Sequence, residues 1–236
     1  MVDPEEIQLV KERYERRKGL GQASLYSPLN PDVYMGQQER ERALISLFKR
    51  AHLGALDRVR VLEIGCGFGD NLLQLIRLGF APSNLTGNEL LPERAERARS
   101  NLPQATEVLV GDASALGFAD RSFDIVYQST VFSSLLDNSF QRILADRIWS
   151  LIKPGGGVLW YDFTFDNPRN PDVRGMPVRR VRELFPHGEL DFRRITLAPP
   201  ISRRVTRIHP GLYTVFNAVP FLRTHVLCWI KKTTQG

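Results

Sequence analysis

"VRVLEIGCGFGDN", residues 59–71, decides the reading of this chain: an apolar run of buried-strand type enters three glycines at alternate positions, Gly65, Gly67 and Gly69. Glycine at that spacing after a strand lets the backbone turn sharply and come close to a ligand. From Val59 onward, short apolar runs alternate with helical stretches: "VRVLEIG", "NLLQLIRLGF", "NLTGNEL", "PERAERARSNL", "TEVLVGD", "SFDIVYQS", "SFQRILADRIWSLIKPGG" and "GVLWYDF". Strands alternating with helices imply right-handed βαβ crossovers and a mostly parallel sheet, of the α/β, Rossmann-like doubly wound class. Ligands of such sheets lie beyond the carboxyl ends of the strands, so functional residues are sought just after each apolar run.

Three ligands compete for the glycine turn. A P-loop ends in Gly-Lys-Ser/Thr, and here Gly-Asp-Asn stands instead, so no lysine meets the phosphates. A dinucleotide fingerprint puts its third glycine where this chain has Asp70, and a carboxylate there opposes a pyrophosphate. S-adenosylmethionine (SAM) has no phosphate and carries an ammonium, a sulfonium, a ribose diol and adenine, for which nearby carboxylates are welcome. Glu63 and Asp70 suit that ligand. Glu89 ends the second apolar run, about twenty residues beyond the turn, where doubly wound folds keep an acid for ribose hydroxyls. Asp112 ends the third run, where a carboxylate accepts from the adenine amino group and the Ala113 N–H donates to a ring nitrogen.

In these motifs the chain resembles the class I SAM-dependent methyltransferases, and in "WYDFTFDNPRNPDVRGMP" and "FLRTHVLCWIKK" it more narrowly resembles the methyltransferase type 11-like enzymes of bacterial glycan or secondary-metabolite pathways. The resemblance spans roughly residues 40 to 165, through "VLEIGCGFGDNL", "GNEL", "GDASALGFADRSFDIV" and "LIKPGGGVLWYDF". It implies a seven-stranded sheet with an antiparallel edge strand. It also implies that Glu63, Gly65, Gly67 and Gly69 border the methionine end of the cofactor, Glu89 and Leu90 the ribose, and Asp112 and Ala113 the adenine. Gln128 meets the methionine ammonium through its backbone. Where relatives often show a histidine after the fourth strand, this chain has Ser133 and Ser134.

A proton acceptor is sought among Asp162, just past "VLWY", and His225, at the start of the final apolar run. The alternative for Asp162 is a loop carboxylate pairing with Arg169 or Arg174, arginines that otherwise suit an acid or phosphate on the acceptor. Asp3-Pro4-Glu5-Glu6 opens a helix that fades at Gly19 and Gly21; "ASLYSPLNPDVYMG" reads as loop and "QQERERALISLFKRAHLG" as helix. The expected organisation is an N-terminal helical cap or lid over 1–50 and a methyltransferase domain over 51–236. The stretch "GLYTVFNAVPFL" is read as core first, with a substrate wall or a membrane-touching patch as the alternatives.

Cys66 and Cys228 match no metal or redox spacing, and the four histidines form no metal motif, so no metal is expected. No apolar run has the length of a membrane span and no secretory leader is evident, which leads to an expected cytoplasmic location. The net charge of +6 is uneven: after Val178 eleven Arg and Lys face only Glu183, Glu189 and Asp191. The leading function is methyl transfer from SAM to oxygen or nitrogen of a small-molecule or glycan acceptor, acidic or phosphorylated acceptors included. Its rival is an RNA methyltransferase using the basic C-terminal region, which steep loss of activity with salt would favour. A non-catalytic SAM-binding module and an NAD-dependent dehydrogenase complete the alternatives.

Overall fold

The computed structural model describes residues 4–18, 25–168 and 170–233. Chain order runs α1 (Pro4–Lys18), α2 (Pro31–Ala51), β1 (Val61–Ile64), α3 (Asp70–Arg77), β2 (Leu85–Glu89), α4 (Pro92–Asn101), β3 (Glu107–Val110) and β4 (Phe123–Ser129). It continues with α5 (Asn138–Leu151), β5 (Ile152–Phe163), α6 (Val178–Leu184), β6 (Gly188–Leu197), α7 (Pro199–Ile208), α8 (Leu212–Asn217) and β7 (Arg223–Lys232). The strands form one sheet in the order β3-β2-β1-β4-β5-β7-β6. The first five are parallel to one another, and β7 runs antiparallel to both β5 and β6. The antiparallel strand thus lies one place in from the border, with β6 outermost.

The two-residue period of the strands divides the core. Leu62, Ile64, Val126, Val158 and Trp160 face α5 and α6, and Val10 of α1 joins that cluster. Val61, Ile125, Tyr127 and Leu159 face the other way, against Leu44 and Leu47 of α2, Leu72 of α3 and Ala95 of α4. Both cysteines are buried and reduced.

Four readings of the sequence change. Helix α2 starts at Pro31, earlier than "QQERER", because Asn30 holds an extended N-cap conformation, Pro31 fills the first helical position and Asp32 complements the dipole. Gly36 is carried inside the helix against the Tyr213 hydroxyl. The helical run "SFQRILADRIWSLIKPGG" is helix only to Leu151: pairing with β4 begins at Ile152 and passes an irregularity opposite Phe123–Ile125. Residues 211–222 are core on one side only. Tyr213 and Asn217 are buried, while Val215, Phe216 and Phe221 face outward. Gly19, Gly21 and Arg169 lie outside the described residues.

Candidate cofactor and acceptor site

The turn after β1 is shaped by backbone conformation. Gly65, Gly67 and Gly69 all have positive φ (64°, 58° and 89°), the left-handed region that L-residues avoid. A Cβ at Gly65 would stand 2.6 Å from Val131 Cγ2, so that glycine admits the loop after β4. A Cβ at Gly67 would meet none of the described residues within 4 Å, so its face is open among them. The turn is fastened by Glu89, whose Oε2 accepts the Gly67 N–H at 2.9 Å and whose Oε1 accepts the Leu91 N–H at 3.0 Å.

A cavity follows the carboxyl ends of β1, β2 and β3 in turn. Gly65, Glu89, Leu90, Asp112 and Ala113 line it, as the sequence grouped them, together with Asn88. Asp112 also caps a 3-10 turn, accepting Ser114 N–H at 2.9 Å and Ser114 Oγ–H at 2.6 Å. The far wall is apolar and includes Leu135 and Phe140, and α1 closes it with Ile7, Val10 and Tyr14. This helix is clamped down: Arg13 donates to both oxygens of Glu6 at 3.0 Å and to the Ser134 carbonyl at 2.9 Å. Glu6 in turn accepts the Leu136 N–H at 2.9 Å. Arg94 of α4 lies over the Tyr14 ring, 4.6 Å from its centroid.

On the opposite face of β1 a charged cluster forms under α2. Burial pushes the Glu63 carboxyl up to about 8, against the opposing pull of Asn71, which donates to Oε1 at 2.6 Å, and of Arg40. Arg40 donates to Asn71 at 2.9 Å and lies over the Tyr161 ring at 5.1 Å. Glu63 Oε2 and Arg40 Nε are buried without a hydrogen-bond partner among the described residues. An unpaired buried polar atom is costly and in native sites commonly meets a ligand or water. Arg40 escaped the sequence reading; only the packing of α2 on the sheet brings it here.

Other expected residues sit elsewhere. Asp70 is exposed in the first turn of α3. Gln128 is buried off the cavity lining; its side chain accepts the Val131 N–H at 3.1 Å and donates to the Tyr161 carbonyl at 3.4 Å. Asp162 is fully buried and also off the lining, accepting N–H bonds from Ser133 at 3.2 Å and Phe163 at 3.0 Å. Burial pushes its carboxyl up to about 7, those N–H groups pulling the other way. Arg174 donates to Asn138 and not to Asp162. His225 stacks on Tyr161 with centroids 5.0 Å apart, and burial, aided by the Arg40 charge, lowers its pKa to about 4. It stays neutral at ordinary pH. Among the described residues no group of histidine, cysteine and acids could hold a metal ion, and no helix is long and apolar enough to cross a membrane.

Comparison with known proteins bears on the domain and the fold. A family model described as a methyltransferase domain matches residues 61–156. The chain is 33% identical over 136 residues to phthiotriol/phenolphthiotriol dimycocerosates methyltransferase 1 of Mycobacterium ulcerans, covering 56% of this chain and 48% of the relative. It is 33% identical over 142 residues to 2-methyl-6-phytyl-1,4-hydroquinone methyltransferase of Synechocystis, covering 57% and 43%. It therefore spans less than half the length of either. A solved SAM-dependent methyltransferase from Thermotoga maritima superposes with a TM-score of 0.63 at 16% identity, over 95% of this chain and all of that one. Residues 61–156 thus match a methyltransferase domain, and the fold over nearly the whole chain is that of a solved SAM-dependent methyltransferase.

Proposed function

We propose that this chain transfers a methyl group from SAM to oxygen or nitrogen of a small-molecule or glycan acceptor. The observation that carries the reading is the run of one cavity along three strand ends, from the glycine turn past Glu89 to Asp112. When bound, SAM supplies a methyl group on a positive sulfonium, a carbon already activated for in-line displacement. The chain's own work is positioning and exclusion of water. In this reading Glu89 and Leu90 orient the ribose, Asp112 and Ala113 the adenine, and the wall of Ile7, Val10 and Leu135 keeps the adenosine end dry. Gly65, Gly67 and Gly69 bring backbone against the methionine end. Glu63 and the Gln128 carbonyl serve its ammonium, with Asp70 adding negative field from outside.

The unpartnered Arg40 Nε and Glu63 Oε2 support this fit, because an amino-acid end brings one carboxylate and one ammonium to a site with a free donor and a free acceptor. His225, neutral and close to Arg40, is the proposed acceptor of the substrate's proton. Asp162 acts through the loop it holds by Ser133. The relatives are named for a phthiotriol dimycocerosate and a phytyl hydroquinone, which brings apolar molecules into the acceptor class.

The test is incubation with methyl-labelled SAM and host extract, fractionated into small molecules, lipids, glycans and RNA, beside calorimetry with S-adenosylhomocysteine. Label in small molecules, lipids or glycans is expected. Label confined to RNA would replace the acceptor with the one suggested by the basic C-terminal half, and absence of both label and cofactor binding would end the reading.

A further inference from the structure

We propose that the surface formed by α7, α8 and the 3-10 turn Pro220–Leu222 docks on an anionic lipid bilayer. The proposal does not depend on the methyl-transfer reading. Ile208 and Phe221 are each 79% exposed and Val215 63%, although α7 and α8 pack on each other over the buried Val205 and Tyr213. Leu25, itself exposed, borders the same region through a cleft shared with Arg203 and Arg207. Large apolar side chains concentrated on one outer surface mark a site of contact.

Charge selects the partner. Arg204, Arg207 and Ile208 lie on the exposed side of α7, and neither arginine has an ion pair among the described residues; Arg203 is held by Asp32 at 3.8 Å. No acid follows Asp191 in the sequence. Exposed aliphatic and aromatic tips beside unpaired guanidinium groups suit the boundary between acyl chains and phosphate headgroups. A second copy of this chain would set arginine against arginine, and a nucleic-acid backbone offers nothing to Ile208 or Val215.

The surface is wired to the charged cluster under α2. From α8, the Tyr213 hydroxyl and Asn217 Nδ2 donate to Glu39 of α2 at 2.7 and 2.6 Å. Glu39 also accepts the Thr196 N–H at 3.0 Å, and Thr196 Oγ1 lies 3.0 Å from the Tyr161 hydroxyl. An amphiphile drawn from the bilayer would therefore arrive beside the wall that carries Tyr161 and His225.

The experiment is sedimentation of the full chain with phosphatidylcholine vesicles, with and without phosphatidylglycerol. Binding is expected only with phosphatidylglycerol, weakened by salt, and roughly tenfold weaker in both Arg204→Gln/Arg207→Gln and Ile208→Ser/Phe221→Ser, with circular dichroism unchanged. If the serine pair unfolds, the arginine pair decides alone, since both side chains point to solvent. No sedimentation with anionic vesicles, or wild-type binding in the arginine pair, overturns the proposal. So does a solution dimer that Phe221→Ser dissociates, which gives the patch to a second copy, or RNA retention without vesicle binding, which gives it to nucleic acid. S-adenosylhomocysteine affinity, measured alongside, reports on the cofactor site separately.

Discussion

The Gly67 N–H donates to Glu89 Oε2 at 2.9 Å, so the bend after β1 is fastened by the acid that ends β2. One carboxylate thereby shapes the turn and faces the cavity. Glu89→Gln keeps the size but turns an amide N–H toward one of the two backbone donors. Affinity for S-adenosylhomocysteine is expected to fall by about 1–3 kcal/mol, with a lower melting temperature. Calorimetry showing wild-type affinity would remove Glu89 from the cofactor site.

Gly65→Ala and Gly67→Ala separate folding from binding. Each puts a Cβ on a left-handed residue, at roughly 1–2 kcal/mol. Only at Gly65 does the new carbon run into a neighbour, Val131. Gly65→Ala should therefore melt lower than Gly67→Ala, while Gly67→Ala, stably folded, loses cofactor affinity. Equal melting temperatures would mean that Val131 turns aside at no cost; retained affinity in Gly67→Ala would mean that nothing docks on the turn's open face.

Helix α1 is held by a buried bidentate ion pair, with side chains of Arg13 and Glu6 only 8% and 5% exposed. Removing one partner strands the other, which costs about 3–5 kcal/mol when the stranded charge stays buried. Arg13→Met should free α1 instead, limiting the loss and exposing residues 4–18 to protease. Glu6→Gln/Arg13→Met should restore part of the protection. Limited proteolysis followed by mass spectrometry distinguishes these outcomes, and an unchanged digest of Arg13→Met would show that apolar contacts alone hold the helix.

Asp162 makes stability depend on pH with a definite sign. Its folded-state pKa, about 7, lies above the usual carboxylate range, so the folded chain binds that proton more tightly than the unfolded one. Its contribution is present in acid and declines as pH rises toward about 7. The stability of Asp162→Asn relative to wild type should therefore increase across that window and level off above it, as read by urea unfolding. His225 slopes the other way: depressed to about 4, it contributes above the ordinary imidazole pKa and loses that contribution as pH falls. Because both chains carry His225, their difference isolates Asp162, and a flat difference would mean that Asp162 titrates as an ordinary acid.

The glycine turn and the acids at the ends of β2 and β3 were legible because each follows an apolar run directly, and in a parallel sheet that position alone brings them to one edge. Arg40 was illegible: it is one of several charges in "QQERERAL", and only the packing of α2 beneath β1 singles it out. The cap was expected, but that Ile7, Val10 and Tyr14 face the cavity depends on contacts between segments distant in the chain. Asp70 drew attention by its charge and stands in solvent. Asp162 was found by position, yet strand alternation turns it under the Ser133 loop. In residues 211–222, apolar composition suggested core, and a helix as short as α8 carries too few turns for its outward side to be read.

The place of β7 between β5 and β6 bears on how the chain is made. Among the described residues β6 pairs in the sheet with β7 alone, and β5 has no other partner on that side. While the polypeptide leaves the ribosome, residues 188–197 must wait, with their ladder groups unpaired, for residues 223–232. Only α7, α8 and the intervening loops are synthesised in that interval. A nascent chain halted before Arg223 would leave β5 bare on one side and β6 bare on both, a natural target for holding chaperones.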